Sequence, residues 1–133
     1  MYTSIYKSIL LIDDDTDDQE IFVAALKEVS PNIRCYCEDD GEVAMKLLSK
    51  NEIAKPDLFF IDLNMPRLNG KEVLKKIKST DSLKNIPVIM FSTFFGEGDI
   101  KEFSSWGAVH YMVKSTNFSD LCKTLGDTLS KKW

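Results

Sequence analysis

The side chains best suited to ionic or group-transfer chemistry follow short apolar runs. Asp13, Asp14 and Asp15 come after Ser8–Ile12, Asp62 after Asp57–Ile61, Ser92 and Thr93 after Pro87–Phe91, and Lys114 after Val109–Val113. If each run is a strand of one parallel sheet, these groups share its carboxyl edge, where open α/β sheets place their sites. If the first and third of the five runs are neighbours, their ends lie ~4.8 Å apart, and at least two carboxylates share a small volume with Asp62. Like charges that close raise a pKa or recruit a cation. A hard ion such as Mg²⁺ resolves the crowding, because it takes one or two carboxylates, waters and a phosphate oxygen. Acids, a hydroxyl, a lysine and a metal together suit a trigonal phosphoryl group, whose equatorial oxygens need positive partners.

The elements that must hold these groups are legible as periodicity. A further run, Ile33–Cys37, alternates Arg34 and Tyr36 against its neighbours and reads as an edge strand; the other four are near-continuous in apolar residues, as strands buried on both faces are. Between the runs lie segments of helical period. Thr16–Val29 carries Ile21, Ala25, Leu26 and Val29; Gly41–Lys50 carries Val43, Ala44, Leu47 and Leu48; Gly70–Ser79 carries Val73, Leu74 and Ile77. Glu97–Trp106 is weaker, with Ile100, Phe103 and Trp106, and Asn117–Ser130 offers Phe118, Leu121, Cys122, Leu125 and Leu129. Thr16 can cap the first helix, Asp15 reads as an acidic turn residue with N-cap duties, and Thr116 or Asn117 can cap the last helix. The order β-α-β-α-β-α-β-α-β-α predicts an α/β fold with a parallel sheet covered on both faces. A chain of 133 residues is enough for one domain, and the expectation is a single domain over 1–133 with no effector domain.

Composition narrows the function. Net charge is −4, with 44% hydrophobic and 29% charged residues, which argues for a globular protein and against nucleic-acid binding. Three cysteines, no signal-peptide pattern in Met1–Lys7 and no apolar run near ~20 residues predict reduced thiols in the cytoplasm and no membrane span. Cys35 and Cys37 share one face of their strand and read as packing residues, and His110 lies inside the last strand.

Taken together, the motifs LLIDDD (Leu10–Asp15), DLFFIDLNMPRLNG (Asp57–Gly70), PVIMFST (Pro87–Thr93) and HYMVKS (His110–Ser115) resemble the response-regulator receiver domain. The resemblance runs from about Lys7 to Ser130, with 30 residues from Asp62 to Ser92 and 52 from Asp62 to Lys114. It implies a flavodoxin-like, doubly wound (βα)5 fold with a five-stranded sheet of order 2-1-3-4-5. It also implies a phosphoacceptor that assists its own phosphorylation and dephosphorylation rather than an enzyme with a separate substrate.

By that resemblance Asp62 is the phosphoacceptor. Asp13, Asp14, Asp62 and the backbone carbonyl of Asn64 hold Mg²⁺ or Mn²⁺. Ser92, Thr93, Lys114 and Tyr111 are the phosphoryl-binding and switch residues. The donor is a sensor histidine kinase or a histidine phosphotransfer protein. Output passes to a downstream protein, through the face formed by the fourth helix, fifth strand and fifth helix, or along a phosphorelay. The protein acts as a monomer or a phosphorylation-dependent dimer. Phe94 and Phe95 are candidates for the docking surface.

Two residues depart from the family pattern. Ser115 stands where proline usually follows the lysine in a cis bond, and a cis bond before a non-proline costs ~2.5–4 kcal/mol. Thr93 replaces a smaller residue and narrows access to the phosphoryl group. An EF-hand starting at Asp13 fails, because its sixth and twelfth positions are Asp18 and Ala24. A DxDxT phosphatase motif fails because Asp17 stands in the threonine position. The readings that compete with the switch are a phosphorylation-independent binding module and a Mg²⁺-dependent phosphatase acting through Asp13.

Overall fold

The computed structural model describes residues 4–133. Its elements are β1 (Ser8–Ile12), α1 (Thr16–Val29), β2 (Arg34–Glu38), α2 (Gly41–Ser49), β3 (Leu58–Asp62), α3 (Gly70–Lys78), β4 (Val88–Ser92), α4 (Glu97–Ser105), β5 (His110–Val113) and α5 (Phe118–Leu129). The five strands are parallel in the order β2-β1-β3-β4-β5, as the motifs imply.

Alternation along each strand divides the core into two layers. Ile9, Leu11, Leu58, Phe60, Ile89, Phe91 and Met112 face α1 and α5, where Phe22, Leu26, Leu121 and Leu125 meet them. Leu10, Ile12, Phe59, Ile61, Val88 and Met90 face α2, α3 and α4, against Ala44, Leu48, Leu74 and Phe103. Strands buried this way cannot slip by one residue without inverting both layers, which fixes the register that aligns the site. Ile12 pairs with Ile61, so Asp13 and Asp62 emerge side by side.

Several elements begin or end one residue away from the sequence expectation, and two of the shifts matter. Asp62 and Ser92 are the last residues of β3 and β4, not the first residues beyond them, so sheet hydrogen bonding fixes their backbones. The cap of α1 is Asp15, not Thr16: its carboxylate accepts from the N–H groups of Asp17 and Asp18. Asn117 caps α5 as expected.

The buried face of α1 also differs. Ile21 is exposed, and Phe22 is buried in edge-to-face contact with Phe60 and Phe91, at 5.0 and 5.5 Å between centroids. Val43, Trp106 and Phe118 likewise lie outside the core; Trp106 sits under the Lys75 ammonium at 4.3 Å.

Asp57 links two strands through its side chain. Its carboxylate accepts from the N–H groups of Lys7 and Ser8 at 2.7 and 3.2 Å, tying the start of β1 to the start of β3 at the edge opposite the site. Asp57→Ala is expected to cost about 1 kcal/mol, since these are charge-assisted but solvent-exposed bonds; a lowered urea midpoint with unchanged slope checks it.

Candidate functional site

The carboxyl edge gathers the predicted groups into one cluster. Asp13 is fully buried and Asp62 is 5% exposed, while Asp14 lies open at the rim. Each offers a carboxylate oxygen, and the three oxygens lie within 4.8 Å of one another. Local bonds aim them. The Asp13 N–H donates to Glu38 O of the neighbouring strand at 2.9 Å, and its Oδ1 accepts from the Asp15 N–H at 3.0 Å. The Asn64 N–H donates to Asp62 Oδ1 at 3.3 Å.

Lys114 reaches this cluster from the end of β5, with its N–H donating to Ser92 O. Its ammonium is 2.8 Å from Asp13 Oδ2, 2.8 Å from Asp18 Oδ2 and 3.5 Å from Asp62 Oδ2. The Lys114–Ser115 bond is trans, as is every peptide among the described residues, and the lysine still arrives at the site.

These surroundings push the Asp62 carboxyl up to about 7. Burial is the main cause and the Asp13 charge adds to it, while Lys114 pulls the other way. For Lys114, burial works against the charge, but its bonds to Asp13 and Asp18 outweigh that and raise its pKa above the ordinary lysine value.

The donor set fits a hard divalent cation. It is all oxygen, two of the three carboxylates are buried, and Asp13 Oδ2 has no hydrogen-bond donor aligned on it despite its contact with Lys114. A cation between Asp13, Asp14 and Asp62 would offset the Asp13 charge that adds to the rise in the Asp62 pKa.

The remaining predicted residues ring the cluster. Ser92 is buried, and its Oγ accepts from the Asn64 side-chain amide at 3.4 Å. Thr93 is exposed just beyond it. Tyr111 is 40% exposed, with its ring edge-on to Phe95 at 5.2 Å and tilted against Phe103 at 6.0 Å. Phe95 is therefore a packing residue of α4 and β5, whereas Phe94 is 72% exposed. An open cleft of about 430 Å³ borders the segment after Asp62, lined by Leu63, Asn64, Met65, Asn69, Lys71 and Asp99. Lys71 pairs with Asp99 at 2.7 Å and Glu102 at 2.8 Å, tying α3 to the first two turns of α4.

Comparison with known proteins decides the family. The model of the response regulator receiver domain matches residues 9–126. The chain belongs to this family. Membership carries the family's general role, phosphoacceptor signalling. The receiver domain is 33% identical over 121 residues to the response regulator Rcp1 of Synechocystis sp., covering 88% of this chain and 82% of that protein. Its fold matches the crystal structure of the phosphorylated cyanobacterial phytochrome response regulator RcpA with a TM-score of 0.84 at 33% identity, covering 92% and 91% of the two chains. The Mn²⁺-bound form of response regulator Rcp1 gives 0.81 at 32%, covering 91% and 90%.

Sequence reasoning missed two residues of this receiver domain's site. The Gln19 amide donates to Asp13 O at 2.6 Å, and Asp18 takes a hydrogen bond from Lys114. The only signal was their position in the first turn of α1, directly after the acidic triplet. Among the described residues, no helix is long and apolar enough to cross a membrane.

Proposed function

We propose that this receiver domain is a cytoplasmic phosphorylation switch with Asp62 as its acceptor. The observation that carries the reading is the convergence of Asp13, Asp14 and Asp62 within 4.8 Å, with the Lys114 ammonium 3.5 Å from the Asp62 carboxylate. The bound Mn²⁺ of Rcp1 and the phosphorylation of RcpA support it by similarity.

In the proposed reaction an oxygen of Asp62 attacks the phosphorus of a phosphohistidine on a sensor kinase or histidine phosphotransfer protein. The new O–P bond forms as the P–N bond breaks. The electron pair returns to the imidazole, which takes a proton, and Asp62 becomes an acyl phosphate. Mg²⁺ or Mn²⁺, held by Asp13, Asp14, Asp62 and the Asn64 carbonyl, would neutralise charge on the phosphoryl oxygens. Lys114 supplies a second positive partner, and the Ser92 hydroxyl, which accepts from the Asn64 amide, keeps its own proton to donate.

Drawing Ser92 toward the phosphoryl group pulls on the loop that leads to α4. Phe95 and Tyr111 are packed on each other, so they respond as a unit. Phe94 and Tyr111, with Val109 and Val113, leave the α4–β5–α5 side partly apolar, the surface through which we propose output to a downstream protein.

Incubation with Mg²⁺ and acetyl phosphate, read by intact mass, tests the proposal. The expected result is one labile phosphoryl adduct, lost on chelation of the metal and absent in Asp62→Asn. No adduct with any donor would instead leave a phosphorylation-independent binding module. Steady phosphate release needing Asp13 but not Asp62 would mark a phosphatase.

A further inference from the structure

We infer that Asp18 is a positioning residue for Lys114: in the resting protein its carboxylate holds the ammonium off the acceptor, and it competes with phosphoryl oxygens for that ammonium. The inference rests on the phosphoacceptor reading of Asp62.

Geometry separates the three carboxylates around Lys114. Asp13 and Asp18 are each 2.8 Å from the ammonium and Asp62 is 3.5 Å away. Both short contacts hold the ammonium, and the one to Asp18 is a hydrogen bond. One of the two short contacts of Lys114 is thus made to a residue outside the three-carboxylate cluster.

Asp18 is well fixed for that task. It lies in the first turn of α1, with its N–H held by Asp15 Oδ1 at 3.1 Å, and the neighbouring Gln19 ties the same turn to Asp13 O. The lysine has little room elsewhere. Its side chain is 10% exposed and its ammonium lies 5.4 Å from the centre of the Phe91 ring. An ammonium has three protons, and three carboxylates already surround this one. A phosphoryl group on Asp62 takes over the contact that this carboxylate now makes at 3.5 Å, and a short bond to it draws the ammonium away from its partners at 2.8 Å. Asp13 faces the cation position, so Asp18 is the partner whose hold on Lys114 opposes phosphoryl binding.

An acid in the first turn of a helix also favours the helix itself. That role would change stability, but it would not make ligand affinity depend on Lys114. The discriminating experiment is a ¹⁹F NMR titration of the full chain with beryllofluoride, a phosphoryl mimic, in Mg²⁺. It compares wild type, Asp18→Asn, Lys114→Met and the double variant, with Asp18→Ser as a second removal of the charge. Asp18→Asn and Asp18→Ser are expected to bind beryllofluoride roughly three- to tenfold tighter, the scale of a partly exposed ion pair. The gain disappears in the Lys114→Met background, and affinity for Mg²⁺ by itself stays within about twofold. Unchanged or weaker beryllofluoride binding in both Asp18 variants overturns the inference, as does an equal gain without Lys114. A wild-type protein that binds no beryllofluoride in Mg²⁺ overturns the phosphoacceptor reading and this inference with it.

Discussion

Gly70→Ala is expected to destabilise the protein by about 3 kcal/mol, at the upper end of overpacking costs, and to lower its thermal midpoint by roughly 10 °C. A Cβ at this position would lie 2.2 Å from the carbonyl oxygen of Asp62 and 2.8 Å from the Cα of Leu63. Both are backbone atoms, so no side-chain rotation relieves the clash. Gly70 is also tied to that segment by its own N–H, which donates to Leu63 O at 3.0 Å, while Asn69 and Glu72 lock the first turn of α3 in a capping box. Either α3 moves outward or the peptide after Asp62 does. The second outcome moves the acceptor itself, so phosphoryl uptake should fall by more than the loss of folded protein explains. Thermal unfolding beside the acetyl phosphate assay of the folded fraction separates the two. Gly41→Ala is the comparison: its Cβ would press on the buried Val73 side chain, at 2.5 Å, with no backbone atom nearer than 3.4 Å, so it should destabilise the protein without moving the peptide after Asp62.

Parts of the molecule differ in how far local sequence specifies them. Buried parallel strands announce themselves as apolar runs, and the side chains that follow or end them must share one edge, whatever the helices do. That is why Asp13, Asp62, Ser92 and Lys114 were legible. The face of α1 was not. Ile21 and Phe22 both fit a helical spacing to Ala25 and Val29, and the choice falls to Phe22 through its ring contacts with Phe60 and Phe91, which are distant in sequence. Local periodicity contains no such information. Asp18 was hidden for a related reason. Its partner lies 96 residues away, and the pairing follows only from the start of α1 and the end of β5 meeting at the same corner. The separate fates of Phe94 and Phe95 were equally closed to sequence: adjacent and chemically identical, one points to solvent and the other is fixed by Phe103 and Tyr111.

In metal-free buffer at pH 8, Asp62→Asn is expected to be more stable than wild type by about 2 kcal/mol. The reason is the raised pKa of Asp62, about 7 in the folded protein against an ordinary carboxylate value of 3.8 in the unfolded chain. Between those two values the folded state holds a proton that the unfolded state has released. Stability from this group is therefore fully present below the unfolded pKa and is lost as pH rises through 7. Asparagine has no proton to lose, so the difference between the two proteins grows from pH 4 to pH 7 and levels off above that. Glu38 and His110 also have shifted pKa values, but they are common to both proteins and cancel in the difference. Millimolar Mg²⁺ should reverse the order. Ligand binding to the native state stabilises wild type by about 2.7 kcal/mol at a hundred times the dissociation constant, and the variant has lost one of the three carboxylates that hold the ion. Urea unfolding of both proteins at several pH values, with Mg²⁺ and with a chelator, measures all of this. A wild type as stable as Asp62→Asn at pH 8 without metal would show that the Lys114 ammonium already neutralises the acceptor, and the crowding argument for a cation would lose its energetic basis.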